Sequence, residues 1–429
     1  MWRFSHLMFR AVAGAGYWLT RRLTRAGMLV TGVLVASAAL GIDTNQTVAY
    51  RLFTLAAALL AVAAISAWGL RERFTLERFL PRLATAGEPF SYRVVVTSHA
   101  AAPRDGLTLR EDLPDPRPDY ATFRAQLKFP TYRAWKRLIA SRAVVQVNEL
   151  TLPLLAPRTA VEVVMQGRAL RRGSQHFAGL TVARSDPLAL CNALFPTASA
   201  ANLLVLPRRY APPQVVLPGS RKYQPGGVAL AASIGDSPEF VGLRDYRPGD
   251  PLQRIHWRSY ARAGKPIVRE YQDEYYERHA LVLDSFPAAG DSVAFEEAVS
   301  IAASFAYTVD TRECLLDLMF IGAESYCYTA GRGQLSAGGL LEVLAGVQPC
   351  RDRPFRALRD AVLARRAALT GCILVLVGWD EARAAFTQGL RAQGLPVLAL
   401  AVSARPVPDA PPWLRVLTPG RIGEGLAAL

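Results

Sequence analysis

The sequence predicts a membrane-anchored protein of several domains: two transmembrane helices, then a β-sandwich, then an α/β domain with a mostly parallel sheet. Two apolar runs lie before residue 71, alternation of apolar and polar residues begins at Phe74, and strand and helix patterns alternate after residue 278. A chain of 429 residues also favours two or three domains over one core.

Charge and cysteine content narrow the class of protein. The net charge is +15, and residues 1–78 hold nine Arg against three acidic residues. Arg beside apolar runs indicates an anionic membrane face more often than nucleic acid. The five cysteines form no C-x-x-C pair and no zinc-like spacing with His, which predicts reduced thiols in a cytoplasmic compartment.

Two uncharged segments predict the membrane anchor. Ala26–Ile42 has 17 residues and Leu52–Leu70 has 19, and each can span a hydrocarbon layer of about 30 Å. The five residues "DTNQT", Asp43–Thr47, join them in a tight hairpin. A signal peptide and a pair of buried core helices are the alternatives. A signal peptide is disfavoured because the first run starts late and the second follows at once.

The distribution of Arg predicts the orientation of this hairpin. Arg flanks both outer ends, and the connecting loop holds only Asp43, although Arg51 lies at the outer edge of the second run. By the positive-inside rule both termini are cytoplasmic. We therefore expect a multi-pass protein of the inner (plasma) membrane with cytoplasmic soluble domains. The flanking residues are Arg10, Arg21, Arg22, Arg25, Arg71, Arg73 and Arg78.

From Phe74 the segment "GEPFSYRVVVTSHA" alternates with period two, and further short strands follow at intervals of about 8–12 residues. This spacing predicts a β-sandwich. Asp186-Pro187 predicts a turn. The basic, aromatic segment Ala121–Leu138 is either a loop that faces the membrane or a solvated insertion.

The last domain alternates strands and helices. "HALVLDSF" is an apolar strand followed by the helical "AFEEAVSIAASFAYTVDTR", and "GCILVLVGW" is a strand followed by "DEARAAFTQGLRAQG". Such alternation predicts a parallel sheet covered on both faces. Ligands of these sheets bind beyond the carboxyl ends of the strands, where Asp284, Ser285 and Asp380 fall.

The segment "DSFPA", which starts at Asp284, resembles the metal site Asp-x-Ser-x-Ser of von Willebrand factor A-like domains. Phe286 and Ala288 stand where that motif has its two serines. Because Mg²⁺ prefers several hard oxygen ligands, we expect no cofactor. If Mg²⁺ bound, the weak candidate ligands are Asp284, Ser285 and Asp380.

The densest polar stretch is "EFVGLRDYRPGDPLQRIHWRSYARAGKPIVREYQDE", Glu239–Glu274. Pro248-Gly249 predicts a type II turn, and Asp250 predicts the N-cap of a helix that runs to about Ala263 and is ended by Gly264. In such a helix one face carries Arg254, Arg258 and Arg262.

Three functions compete for this stretch. Catalysis has the candidates His256, Asp245 and Asp250, but no nucleophile stands in a recognisable context. Nucleic-acid binding needs strong positive charge, and residues 239–278 carry seven acids against eight bases. Paired charges instead favour an Arg–carboxylate network, formed by Arg244 or Arg269, that braces the joint between the two soluble domains and docks a partner on its rim.

The same stretch closely resembles the core motif of domain-of-unknown-function family 58 (DUF58), membrane-anchored proteins widespread in bacteria. The matching positions are Glu239, Phe240, Leu243, Arg244, Tyr246, Pro248, Gly249, Asp250, Arg254, Ile255, Trp257, Arg269 and Glu270.

This resemblance implies a non-enzymatic scaffold or adaptor that acts with a MoxR-type AAA+ ATPase, and with a transglutaminase-like membrane protein, in the assembly or maturation of membrane or envelope complexes. The near balance of charge in residues 239–278 predicts no nucleic-acid partner. The alternative is a metal-dependent hydrolase or ligand-binding enzyme that uses Asp284 and Asp380.

The expected organisation has five parts. They are a cytoplasmic N-terminal segment (1–25), a transmembrane hairpin (26–73), a β-sandwich (74–215), the core motif segment (216–278) and a von Willebrand factor A-like α/β domain (279–429).

Overall fold

A computed structural model describes most of the chain. The described residues are 2–40, 47–127, 129–211, 240–250, 252–271, 277–288, 292–309, 314–331, 335–408 and 410–429. They group into two units, Met1–Arg208 with Glu342–Gly346, and Arg209–Leu341 with Val347–Leu429. The predicted loop "DTNQT" lies almost wholly outside the described residues.

Three helices open the first unit: α1 (Trp2–Arg22), α2 (Arg25–Leu40) and α3 (Thr47–Gly69). Within the described residues one helix is long and apolar enough to cross a membrane, Val48–Gly69, with a mean hydropathy of 2.1. The apolar α2 has 16 described residues, so the first predicted span stays a prediction. α2 and α3 pack side by side. Ala56 and Ala63 of α3 are buried, and such small residues let helices approach closely.

The alternating segment forms two sheets. Their strands are β1 (Phe74–Phe79), β2 (Leu83–Thr85), β3 (Pro89–Ser98), β4 (Leu107–Asp112), β5 (Val145–Val147), β6 (Leu150–Thr151), β7 (Ala160–Ala169), β8 (Gly173–Ser185) and β9 (Asn192–Leu206). One sheet has the order β1-β3-β7-β5 and the other β2-β9-β8-β4-β6. Both contribute to one apolar core, with Val94 and Met165 from the first and Leu109 and Leu180 from the second.

Two helices form where the sequence suggested a membrane-facing loop or a solvated insertion. They are α4 (Tyr120–Gln126) and α5 (Tyr132–Arg142). Phe123 and Trp135 are fully buried in a cluster with Phe9 of α1. The segment is therefore helical and not a loop. Phe123 and Trp135 pack against α1, whereas Phe129, between the two helices, and the basic residues of α4 and α5 are exposed.

The turn between β8 and β9 holds the start of α2. The Asp186 carboxylate accepts hydrogen bonds from the backbone N–H groups of Leu188, Leu190 and Cys191, at 2.6–2.8 Å. The Thr24 N–H donates to the Leu190 carbonyl at 3.0 Å. A Cβ on Gly27 would lie 2.0 Å from that same oxygen, so only glycine permits this approach. The predicted Asp-Pro turn thus joins the sandwich to α2.

The second unit contains the remaining strands and helices. They are β10 (Phe240–Asp245), α6 (Trp257–Ala263), β11 (Ile267–Tyr271), β12 (Glu277–Leu283), α7 (Ser292–Thr308), β13 (Cys314–Ile321), β14 (Ser325–Ala330), α8 (Ala337–Gly346), α9 (Arg356–Arg365), β15 (Gly371–Val377), α10 (Glu381–Ala392), β16 (Val397–Val402), β17 (Leu414–Leu417) and α11 (Ile422–Ala427). Short 3₁₀ turns lie at Leu252–Arg254 and Arg366–Ala368.

A six-stranded sheet dominates this unit, in the order β14-β13-β12-β15-β16-β17. All neighbours are parallel except β13 and β14. α9 and α10 pack on the face that carries Ala280 and Val282, whereas α7 lies against β12, β15 and β16. The central strands are buried on both faces, as continuous apolar runs predict.

Candidate functional site

The carboxyl ends of β12 and β15 bring two of the predicted residues together. The two strands are parallel neighbours, with Leu283 opposite Val375. Asp284 directly follows β12. Asp380 follows β15 after Gly378, whose φ of 81° allows the chain to turn toward α10. Both carboxylates therefore lie at the same edge of the sheet.

The side chain of Arg383 lies between these carboxylates. Its Nε donates to Asp284 Oδ2 at 2.7 Å, and Nη1 donates to Asp380 Oδ2. Its Nη2 donates to the Phe286 carbonyl at 2.8 Å. The ring of Phe355 covers the guanidinium, with 4.9 Å from Cζ to the ring centroid. A protein cation thus pairs with both strand-end carboxylates.

Asp284 is fully buried, and its oxygens are occupied by donors. Besides Arg383, the backbone N–H of Phe286 donates to Oδ1 and that of Val377 to Oδ2, each at 2.9 Å. Burial raises the pKa of Asp284, while Arg383 and the two backbone donors oppose that rise. Desolvation disfavours the charged form of Arg383, but Asp284 and Asp380 outweigh it and raise the pKa of the guanidinium. Asp284 and Arg383 therefore neutralise each other, and protein groups supply the hydrogen-bond donors to Asp284.

Ser285 is engaged elsewhere. Its hydroxyl donates to the Ile321 carbonyl at 2.5 Å, and its own carbonyl accepts from the Cys350 N–H at 2.7 Å. Of the three candidate metal ligands, the structure therefore joins Asp284 and Asp380 through Arg383 and ties Ser285 to β13. Across the described ranges, no three His, Cys, Asp or Glu side chains converge in a way that could hold a metal ion.

Sequence reasoning missed Arg383, although the sequence carries a signal for it. Arg383 lies in the first turn of α10, where the helix dipole disfavours a cation. A cation there indicates a nearby carboxylate, and Asp380 stands three residues earlier as the N-cap, accepting from the Arg383 N–H at 2.9 Å. The second partner, Asp284, lies 99 residues away in sequence.

The second candidate site is the hairpin–helix module, which we define as residues 240–250 and 252–271. β10 and β11 pair antiparallel, with Leu243 opposite Arg269. At the Pro248-Gly249 turn the Asp250 N–H donates to the Arg247 carbonyl at 3.0 Å, and φ of Gly249 is 107°. This is the predicted type II geometry.

Asp250 is the centre of the network that the sequence predicted. Nη1 and Nη2 of Arg244 donate to its two oxygens, each at 2.7 Å, and the Arg247 N–H donates at 2.8 Å. These hydrogen bonds, that from Arg244 first, lower the pKa of Asp250 to about 2. A lowered pKa stabilises the fold fully above the ordinary Asp pKa of about 4, and the contribution is lost as pH falls toward 2.

The predicted capping role of Asp250 was wrong. The helix does not begin there: a 3₁₀ turn covers Leu252–Arg254, and α6 begins at Trp257. Ile255 forms an isolated β-bridge with Val268, and the His256 N–H donates to the Ile267 carbonyl at 2.8 Å. Pairing with β11 therefore interrupts the helix. Gly264 ends α6 with a φ of 69°, as predicted.

The outer face of the module exposes apolar and cationic side chains together. Leu252 is 66% exposed, Trp257 64% and Tyr260 41%. The rings of Trp257 and Tyr260 pack edge to face, with centroids 6.0 Å apart. Arg258 and Arg262 share one face of α6, but Arg254 belongs to the 3₁₀ turn, so the predicted three-Arg helix face is reduced to two. All three arginines are exposed.

The other motif residues are placed within the same hairpin. Phe240 begins β10, Arg269 and Glu270 lie in β11, and the half-buried Tyr246 donates its N–H to the Pro266 carbonyl at 3.0 Å. Glu239 lies outside the described residues.

The candidates for catalysis have separate partners. His256 Nδ1 lies 2.7 Å from Ser259 Oγ, and Asp245 pairs with Lys265 at 2.8 Å. Asp250 is engaged by Arg244, as described above. The described contacts therefore do not link the three candidates into an acid–base site.

Comparison with known families bears out the resemblance found in the motif. Residues 242–403 match the family model described as "Protein of unknown function DUF58". That range includes most of the module, Asp284, Asp380 and Arg383.

A curated relative is similar over part of its length. The "Uncharacterized protein YeaD" of Bacillus subtilis (strain 168) is 28% identical over 178 residues, which is 41% of this chain and 42% of the relative. The aligned region thus spans less than half of either protein.

Solved structures resemble the chain only weakly. Escherichia coli alpha-2-macroglobulin in its native conformation has 15% identity and a TM-score of 0.20, over 32% of this chain and 7% of that one. The CARDB domain of PF1109 from Pyrococcus furiosus has 12% identity and a TM-score of 0.17, over 31% of this chain and 94% of that one. At such TM-scores these similarities support no assignment.

Proposed function

We propose, from the DUF58 match over residues 242–403, that the protein is a scaffold or adaptor of the bacterial inner membrane that presents its hairpin–helix module to a protein partner. The partner in this proposal is a MoxR-type AAA+ ATPase, with a transglutaminase-like membrane protein as a further member of the assembly. The assembly serves the maturation of membrane or envelope complexes.

The observation that carries the proposal is the outer face of the module. Trp, Tyr and Arg dominate the energetics of protein interfaces, and Trp257, Tyr260 and Arg258 are exposed side by side. The frame beneath them is fixed, because Arg244 and Asp250 form a bidentate pair and Ile255 and Val268 are buried. Exposed anchors on a fixed frame lose little conformational entropy on binding.

The strand-end site supports a scaffold over the alternative, a metal-dependent hydrolase. A hydrolytic metal needs free carboxylate oxygens, and those of Asp284 accept from Arg383, Phe286 and Val377. The guanidinium of Arg383 already supplies the positive charge beside Asp380, where a bound metal ion would lie. In this proposal, Arg383 supplies the positive charge at this edge.

The finer fold assignment belongs to the same proposal. The order β14-β13-β12-β15-β16-β17, with β14 the antiparallel edge strand and helices on both faces, supports a von Willebrand factor A-like domain. Arg383 would then stand in for the metal that such domains bind through Asp-x-Ser-x-Ser.

Membrane anchoring rests on α3 and its neighbour. The 22-residue apolar segment Val48–Gly69 is 11% buried within the structure, so most of its surface is open to lipid. α2 packs against it and carries no charged residue after Arg25. We propose that the two helices cross the bilayer as a hairpin, with the soluble units on the cytoplasmic side.

The test is affinity capture of the full chain from native membranes and cytosol, with proteins identified by mass spectrometry. The face variant combines Trp257→Ala with Arg258→Ala. We expect wild type to capture an AAA+ ATPase with a Walker motif, and the face variant to bind the purified ATPase at least about 30-fold more weakly, as for loss of a hot spot worth 2 kcal/mol. Its thermal stability should remain unchanged, since both side chains are exposed.

The matched control combines Val293→Ala with Arg359→Ala, an exposed apolar residue and an exposed Arg elsewhere in the second unit. It should bind the ATPase like wild type. Equal loss in both variants, or no ATPase captured by wild type, contradicts the proposal. Tight RNA or DNA binding that disappears in the face variant would instead assign the module to nucleic acid.

A further inference from the structure

α1 has two unlike faces, and its inner face is part of a core. Phe9 is 6% exposed and packs on Phe123 and Trp135. His6 is also buried, and its Nε2 lies 3.1 Å from the Pro118 carbonyl. These contacts fix which side of α1 faces α4 and α5, and therefore which side faces outward.

The outer face of α1 is an exposed apolar stripe. Its members recur at helical spacing, and their exposed fractions are 71% for Phe4, 65% for Leu7, 43% for Met8, 51% for Val12 and 60% for Trp18. Scattered apolar residues on a protein surface need no explanation. A contiguous stripe along about four turns of one helix does, because it would order water along its whole length.

The surroundings of the stripe are cationic. α1 carries four arginines, α4 one and α5 four lysines and arginines, and none of the three helices contains Asp or Glu. The acids nearest to these helices are engaged: Asp112 pairs with Arg21, Asp115 pairs with Arg117, and Asp119 caps α4. An apolar face on helices that carry cations and no acids is complementary to a membrane leaflet with anionic headgroups. It is a poor match for a second copy of the same helices, which would bring like charges together.

The position of α1 in the chain is consistent with contact between the stripe and a membrane. α1 ends at Arg22, and α2 begins at Arg25. If α2 and α3 form the proposed anchor, the C-terminal end of α1 lies within a few residues of the bilayer surface. Tyr17 and Trp18 are both exposed at the end of α1 nearest the anchor, and aromatic residues of this kind are enriched at the membrane–water boundary.

We propose that α1 lies flat in the membrane interface, with the stripe from Phe4 to Trp18 inserted into an anionic leaflet and the α4–α5 pair held against the headgroups. The inference rests on the proposed membrane anchorage and adds a second lipid-binding site to it. The N-terminal segment becomes a lipid-bound surface that sets the distance and tilt of the sandwich relative to the bilayer.

The test uses the full chain in nanodiscs that contain phosphatidylglycerol, with one nitroxide label per variant. Met8→Cys places the label on the stripe, and Leu59→Cys places it on the exposed side of α3. The matched control is Gly16→Cys, on an exposed part of α1 outside the stripe, where an added Cβ meets no atom within 4 Å. Accessibility of each label to oxygen and to a water-soluble nickel chelate is measured by power saturation.

We expect the oxygen-to-nickel ratio at Met8 to approach that at Leu59 and to exceed that at Gly16 severalfold. In nanodiscs of phosphatidylcholine alone the ratio at Met8 should fall, because the cations lose their anionic partners. An aqueous Met8 beside a lipidic Leu59 overturns the inference and leaves the anchor intact. Aqueous labels at both positions overturn the anchor as well. A Met8 label shielded from both reagents in either lipid indicates protein on the stripe and also overturns it.

Discussion

Gly249 has a φ of 107°, which a residue with a Cβ adopts only at a cost. An added Cβ would meet no atom within 4 Å, so the cost at this position is backbone strain and not crowding. Gly242, in β10 of the same hairpin, also has open space around an added Cβ but lacks a positive φ. Comparison of the same substitution at the two glycines therefore separates the effect of backbone strain from the effect of side-chain size.

We predict that Gly249→Val destabilises the module by about 1–2 kcal/mol, the cost of the left-handed conformation for an L-residue. Hydrogen exchange of the β10 and β11 amides in the full chain should then be about 5- to 30-fold faster. Gly242→Val is the control and should change the stability by no more than about 0.5 kcal/mol. Equal effects of the two variants would remove the turn geometry as the cause.

At this scale the sequence predicted some contacts well. The Pro-Gly turn and the ending of α6 at Gly264 depend on the backbone preferences of one or two residues, and both were found. The sequence predicted that Arg244 pairs with a nearby carboxylate, but it assigned Asp250 to a helix cap and did not identify it as the partner. Arg383 could not be assigned to Asp284 in the same way, because the sheet and not the local sequence brings them together.

Among the elements, β12, β15 and α10 depend on one buried ion pair. The Arg383 side chain is 9% exposed and that of Asp284 is fully buried, so each needs the other. A buried pair adds little net stability, but removal of one partner leaves an uncompensated charge. Arg383 therefore links the carboxyl ends of β12 and β15 to the first turn of α10.

We predict that Arg383→Ala lowers the free energy of unfolding by about 3–5 kcal/mol. In this variant only the two backbone donors oppose the effect of burial on Asp284, so the pKa of Asp284 in the folded state lies above the unfolded value. The penalty is then largest at neutral pH and shrinks as pH falls through the folded pKa toward the unfolded value of about 4. Chemical denaturation of the full chain at several pH values measures both effects.

The control for this prediction is Arg359→Ala. Arg359 is 49% exposed and pairs with Asp360, which is 61% exposed, so its removal should cost no more than about 1 kcal/mol at any of these pH values. A mild, pH-independent effect of Arg383→Ala would mean that Asp284 does not depend on the guanidinium.

Elements were predictable where their pattern is local. The alternation of the sandwich strands and the apolar runs of β12 and β15 identify strands without further information. The sequence did not predict α4 and α5, because their aromatic residues are buried only through contact with α1, which is distant in sequence. The break between the 3₁₀ turn and α6 was missed for the same reason, since β11 causes it from outside the helix.

For the whole molecule, the distribution of Arg makes a prediction about topology. Five arginines precede α2 or begin it, and Arg71, Arg73 and Arg78 follow α3. We predict that both termini are cytoplasmic. A reporter enzyme that is active only outside the cytoplasm should be inactive when fused after Leu429. The same reporter fused after Asn45, in the predicted loop, should be active.

Activity of the fusion after Leu429 would place the soluble units outside and exclude a cytoplasmic ATPase as their partner. Inactivity at both positions would mean that neither α2 nor α3 crosses the membrane, because a single crossing by α3 would put the two positions on opposite sides.

The junction of Thr24 and Gly27 with the β8–β9 turn has a mechanical consequence. A flexible linker between an anchor and a soluble domain absorbs a pull on the soluble domain. Here the Leu190 carbonyl touches the first turn of α2, and two residues separate α2 from α1. A torque applied to the sandwich would therefore pass to α1 and α2 through these contacts and would not be absorbed by a linker. If the proposed anchor is correct, a rotation of the sandwich and the tilt of α2 in the bilayer would be coupled.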